Sequence, residues 1–158
     1  MDLSDAKKEM AKALEVTYQT QQGAYIHWAE IYMQAILNLM GQAENPCCLI
    51  GEVYDKQKMI PVHQAGGDRT ALMHAYSHKV ILCYLFEEFQ QAVENADSFE
   101  EYSANAASFF ILPVVYLYDM LARLALSCRA FKLYIQGGRD TPQEFDCFLL
   151  VFRLSSIN

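Results

Sequence analysis

Residues 108–126, SFFILPVVYLYDMLARLAL, constrain the fold more than any other stretch. They are apolar over almost their whole length, the pattern of a helix buried on most sides. The length alone also admits a membrane span. Two charges oppose that reading: Asp119 and Arg123 would each cost roughly 2.5–3.5 kcal/mol at the centre of a spanning helix. Standing four residues apart, they share one helix face and can pair there. The stretch therefore reads as the central helix of a soluble protein, carrying one charged stripe, with Pro113 near its first turn or bending it.

The rest of the composition agrees with a helical stack. A chain of 158 residues is one domain's worth and long enough to bury a core. Its 53% hydrophobic content, with ten Tyr and nine Phe, supplies rings to wedge helix layers. A net charge of −7 leaves nothing to neutralise phosphates, which argues against nucleic acid or an anionic membrane surface as partner. Residues 1–12, MDLSDAKKEMAK, lack an apolar run behind a basic start, so no secretory signal is read there and a cytoplasmic location is expected. Five cysteines, an odd number with Cys47 and Cys48 adjacent, make no disulfide framework and fit a reducing compartment.

Taken in order, the chain reads as helices separated by glycine, proline and acidic punctuation. Ser4 is the expected cap of a first helix to about Thr20, with Met10, Leu14 and Tyr18 at four-residue spacing. A second helix over about 24–42 lines up Tyr25, Trp28, Tyr32, Ala35, Ile36 and Leu39, and Gly41 and Asn45–Pro46 stop it. Residues 43–67 are the least regular, with a bend at Gly51 and a short helix over 55–64 interrupted at Pro61. Asp68 caps a third long helix over 69–86, buried through Leu72, Met73, Tyr76, Val80, Cys83 and Tyr84. Glu87–Glu88 mark a tight turn into a fourth, over 89–106. The segment 129–135 can extend the helix that follows. After Gly137–Gly138, Thr141-Pro142-Gln143-Glu144 has the form of a capping box ahead of one short helix at 141–154. The long apolar helices begin near 25, 70 and 109, a spacing within the range of helix-pair repeats. The expected fold is all-α: antiparallel helix pairs stacked as a right-handed solenoid of the tetratricopeptide (TPR) kind, or as a bundle. It would fill residues 1–127, with a divergent tail over 128–158.

No residue pattern names a reaction. His74 and His78 have the i, i+4 spacing of two metal ligands, but Ala75 stands where a zinc protease has its glutamate. His63 and Cys83 would need fold geometry to join them. Cys47–Cys48 lack the spacer of a redox motif. Glu87, Glu88, Glu100 and Glu101 come without the Glu-x-x-His of di-iron bundles and read as a solvated face. Gly66–Gly67 lack the lysine and outer glycine of a phosphate loop. Asp119 and Arg123 form an intrahelical pair or a latch to the neighbouring repeat. Neither a metal, nor a cofactor, nor a catalytic residue is expected.

Four strings carry a family resemblance: LNLMGQAENPCCLIGEVYD (37–55), GGDRTAL (66–72), KVILCYLFEEFQQAVENA (79–96) and LPVVYLYDMLARLAL (112–126). In order, over roughly residues 10–126, they resemble a helical segment of very large bacterial signalling proteins. Such proteins join a Ser/Thr protein kinase, an AAA-type ATPase, tetratricopeptide-like helices, a GAF sensor and a histidine kinase. The resemblance implies the helical-repeat part between the ATPase and the sensor, with no catalytic domain of the family. The positions matching its pattern are Gly41, Asn45, Pro46, Gly51, Glu52, Asp68, Arg69, Thr70, Tyr118, Asp119, Leu121 and Leu124, with structural roles as turns, caps and core. From about Cys128 the resemblance stops, as in a remnant of a longer gene.

The function expected is a non-catalytic scaffold or coupling segment that contacts proteins or neighbouring domains. The alternative is a small-molecule-binding regulatory domain, with Trp28, Tyr76 and Tyr118 lining a pocket between helices.

Overall fold

The computed structural model of the chain describes residues 2–21, 23–104 and 110–137. The expected capping box at 141–144, its helix and Cys147 lie outside the described residues, as do Ser108 and Phe109.

The described chain is all-helical: α1 (Leu3–Gln19), α2 (Gly23–Leu39), α3 (Lys56–Gly66), α4 (Arg69–Leu85), α5 (Phe89–Ser103) and α6 (Ile111–Gly137). The only β feature among the described residues is an isolated bridge between Ile50 and Asp55. Local chemistry explains where helices start. Asp2 rather than Ser4 caps α1, because its carboxylate reaches the Asp5 amide at 2.8 Å. Asp55 caps α3 and Asp68 caps α4 in the same way, accepting from Gln57 N at 3.0 Å and Ala71 N at 3.0 Å. Each satisfies an amide that the first helical turn leaves without a partner.

The helix ends are equally specific. Gly41, at φ +74°, and Gly67, at φ +67°, take the left-handed conformation that closes α2 and α3. Behind them, Gln42 N donates to Leu37 O at 2.9 Å and Asp68 N donates to His63 O at 2.9 Å, the six-to-one bond of a Schellman ending. Glu87 does the same work for α4 at φ +62° without being glycine, and this produces the tight turn expected at Glu87–Glu88. Pro61 does not interrupt α3 as the sequence suggested. It lies exposed inside the helix, and the carbonyl it leaves without a donor belongs to exposed Gln57, where water can reach it. Replacing Asp68 by Ala should remove about 1 kcal/mol of stability, and Asp68→Asn should recover most of it, as read from urea unfolding midpoints.

α1 pairs with α2 and α4 with α5 as helical hairpins, and α6 packs on both α4 and α5. α4 is therefore the organising helix, touching α2, α3, α5 and α6. It buries nine residues from Ala71 to Cys83. Its Ala71, Ala75 and Leu82 join Ile31, Ala35, Leu49 and Tyr54 in one cluster. Its Met73 and Val80 join Ala96, Phe99, Ile111 and Val115 in a second. Cys83 joins Cys47, Ala92 and Ala122 in a third. The stretch expected at the centre, now α6, covers one side of this arrangement.

Candidate interaction surface

α6 has three distinct faces. Ile111, Val115 and Ala122 point inward and are buried against α4 and α5. A polar flank holds the helix in register. Arg123 Nε donates to Asp119 Oδ1 at 2.8 Å and Oδ2 at 3.0 Å, while its Nη2 donates to Asp97 of α5 at 2.8 Å. The pair is thus both of the things the sequence allowed, an intrahelical bond and a latch to the neighbouring helix. These carboxylates raise the Arg123 pKa against the lowering effect of burial. Further along, the Arg129 guanidinium sits 4.5 Å from the Phe89 ring centre and its Nη2 lies 3.3 Å from Glu87.

The third face is apolar and, among the described residues, uncovered. Val114, Leu117, Met120, Leu124 and Phe131 all stand exposed, with Met120 at 57% and Phe131 at 53%. Tyr116 and Phe110 flank them, the latter 82% exposed. The steps from 117 to 120 to 124 to 131 are three, four and seven, the seam that one helix offers another in knobs-into-holes packing. From Val114 to Phe131 the seam runs about 25 Å at the α-helical rise. Leu124, expected in the core, belongs to this outer face. Ile111–Lys132 is long and apolar enough to cross a membrane by length and composition, a test that core helices also pass.

The other family-pattern positions divide among turns, caps and helix faces. Gln34 and Asn38, both fully buried on α2, form an amide network under the 45–55 loop. Asn38 Nδ2 donates to the carbonyls of Pro46, at 3.0 Å, and Cys48, while its Oδ1 accepts from Gln34 Nε2 at 2.8 Å. Gln34 Oε1 accepts from Val53 N and Tyr54 N, each at 3.3 Å. A Cβ on Gly51 would come within 2.4 Å of the Gln34 amide, so any side chain there must displace that amide from its network. Asn45 Oδ1 accepts from Cys47 N at 2.9 Å. Arg69 donates to the Glu101 carbonyl and lies over the Tyr102 ring, fastening α4 to the end of α5. Thr70 and Leu121 are half-buried, as is Tyr118, whose ring sits 5.2 Å from Tyr84. Glu52 is exposed and edges an open groove of about 500 Å³ between α1 and α2, lined also by Leu14, Tyr18, Met33, Leu37 and Val53.

The remaining candidates do not converge. His78 Nδ1 bonds the His74 carbonyl at 2.8 Å and Tyr32 OH lies 3.4 Å from His74 Nδ1, so the two rings do not address a common point. Among the described residues no group of three or more His, Cys, Asp or Glu is placed to hold a metal ion. Cys47 and Cys83 are buried, and burial pushes both thiols up, Cys83 to about 12. Glu87, Glu88, Glu100 and Glu101 are exposed. Tyr76 stacks on Tyr102 and packs with Tyr118 on the cluster around Phe99, whereas Trp28 packs on the one around Ile31, so the three rings expected around one pocket occupy two separate cores.

Compared with models of known protein families, with curated proteins and with solved structures, the chain matches none.

Proposed function

We propose that this chain is a non-catalytic helical-repeat scaffold or coupling segment, acting in the cytoplasm, that holds a helix of a partner protein or neighbouring domain on the outer seam of α6. The observation that carries the reading is the row Val114, Leu117, Met120, Leu124 and Phe131, exposed among the described residues on a helix whose opposite face is packed and whose flank is latched. A protein partner suits this row better than nucleic acid, since the arginines on its flank, Arg123 and Arg129, are engaged by Asp97 and Glu87 and the chain carries −7 overall. In this reading the helices form a TPR-like stack, and α6 is the end on which a further helix pair would add. The resemblance to multi-domain signalling proteins supplies the context: a segment between an ATPase and a sensor kinase, relaying state through helix packing.

The double substitution Leu117→Glu, Met120→Glu tests the seam. Both side chains are half exposed. The expected result is an unfolding free energy within about 0.5 kcal/mol of the parent, as for surface sites, with several-fold less binding of a hydrophobic dye to the native protein. A loss of more than about 2 kcal/mol would mean the face is core, and the scaffold reading would fail.

The groove between α1 and α2 favours a second reading, a small-molecule regulatory domain, because its open lining combines apolar Leu14, Met33 and Leu37 with the charged Lys7 and Glu15. A saturable rise in unfolding temperature with one ligand class would support it, and no rise across a metabolite library would favour the scaffold.

A further inference from the structure

The chain's four histidines, carried by three different helices, gather where α2, α3 and α4 meet. The His27 and His63 rings are 5.0 Å apart at 71°, and His63 lies nearly parallel to Tyr54 at 6.2 Å. His74 contacts Trp28 at 5.4 Å and Tyr32 at 5.5 Å, and the other side of Tyr32 meets His78 at 4.3 Å. His63 is 2% exposed and His74 4%. Among the described residues the buried polar atoms without a hydrogen bond are Trp28 Nε1, Tyr54 OH and His63 Nε2, all three in this same place. The packing there is ring against ring.

We propose that this cluster is an acid-sensitive latch, in which protonation of His63 and His74 loosens α2 and α3 from α4. Titratable groups from α2, the start of α4 and the 45–55 loop surround the two rings. From α2 come His27 and Glu30, paired at 3.2 Å, with Glu30 also taking the Tyr18 hydroxyl of α1 at 2.7 Å. From α4 come Asp68, whose Oδ2 is 3.7 Å from His63 Nδ1, and His78. From the loop comes neutral Tyr54. The two carboxylates are thus already engaged, Glu30 by His27 and Tyr18 and Asp68 by the α4 cap.

Burial, followed by the neighbouring imidazole, holds both rings below the ordinary histidine value: His27 acts on His63 and His78 on His74, while Asp68 offsets each only in part. His74 is brought from 6.5 to about 4. Burial lowers His78 as well, against its bond to the His74 carbonyl. A folded state that binds fewer protons than the unfolded chain has its full stability above pH 6.5, and loses it as the pH falls from there towards 4. For His74 alone, the unfolding equilibrium constant at pH 5 should be about twentyfold that at pH 7.

The test follows the full chain from pH 7.5 to 5 by histidine proton NMR, fluorescence of the lone Trp28 and hydrogen exchange. His74 is expected to titrate well below 6.5 and Trp28 emission to change as it does. Amides of α2 and α3 should lose protection before those of α5 and α6. The His74→Gln variant, checked for helix content at pH 7.5, should show a much shallower fall in stability. If it does not fold, the titration of the parent protein decides. A His74 that titrates at 6.5 in the folded protein, a stability flat between pH 7.5 and 5, or equal loss of protection across α2 and α6 would each overturn the latch.

Discussion

Asn38→Ala is expected to lower the unfolding free energy by about 3–5 kcal/mol, the range for breaking a buried hydrogen-bond network. The residue is fully buried, and its amide serves the Pro46 and Cys48 carbonyls while fixing Gln34. Alanine would take the amide donor from the Pro46 carbonyl, leave the Cys48 carbonyl with the Ile50 amide, and free Gln34, whose oxygen holds the Val53 and Tyr54 amides. The loop carries Leu49 and Tyr54, both core residues, so losing its anchor also loosens the cluster around Ile31. Gly51 gives an internal control. Gly51→Ala should cost about 1–3 kcal/mol in the parent, since the new methyl meets the Gln34 amide, and much less in a Gln34→Ala background. Chemical denaturation of the four proteins closes the cycle; additive costs would mean the close approach is unimportant.

Phe99→Ala should be comparably damaging, at about 3–5 kcal/mol. Phe99 is fully buried and is among the largest such side chains. Its ring lies between α4, α5 and α6 with Met73, Val80, Ile111 and Val115 around it, and meets Tyr116 edge-on at 6.3 Å. The cavity would open where α6 is held, so exchange in α6 should rise more than in α1. Uniform exchange along the chain would show that Phe99 does not tie α6 to the stack.

The sequence was most legible where local chemistry decides. Asp68 as a cap, the stop after α2 near Gly41 and the turn at Glu87–Glu88 each follow from the side chain or backbone freedom of one or two residues. It was least legible where a long-range partner decides. Gln34 and Asn38 interrupt the apolar face of α2 and look like surface amides; only the 45–55 loop, folding back with unpaired backbone groups, makes them core. Their spacing of four on a helix next to an irregular loop was the one available signal. Residues 108–126 misled in the other direction. A helix apolar all round looks the same whether every face is covered or one waits for a partner, and Leu124 within it stands exposed. The spacing of His74 and His78 was visible, but His27 and His63 join them only through the packing of α2 and α3.

The outward row on α6 is what makes this stack a holder of other helices, and methionine oxidation reads it directly. In dilute monomeric protein treated with peroxide, Met120, 57% exposed, should oxidise at a rate near that of an unfolded peptide. Met73, 1% exposed on α4, should be slowed by at least tenfold, close to the limit set by unfolding. Met120 protected to the same degree as Met73 would show that the chain itself already covers this face and would contradict the proposed docking seam.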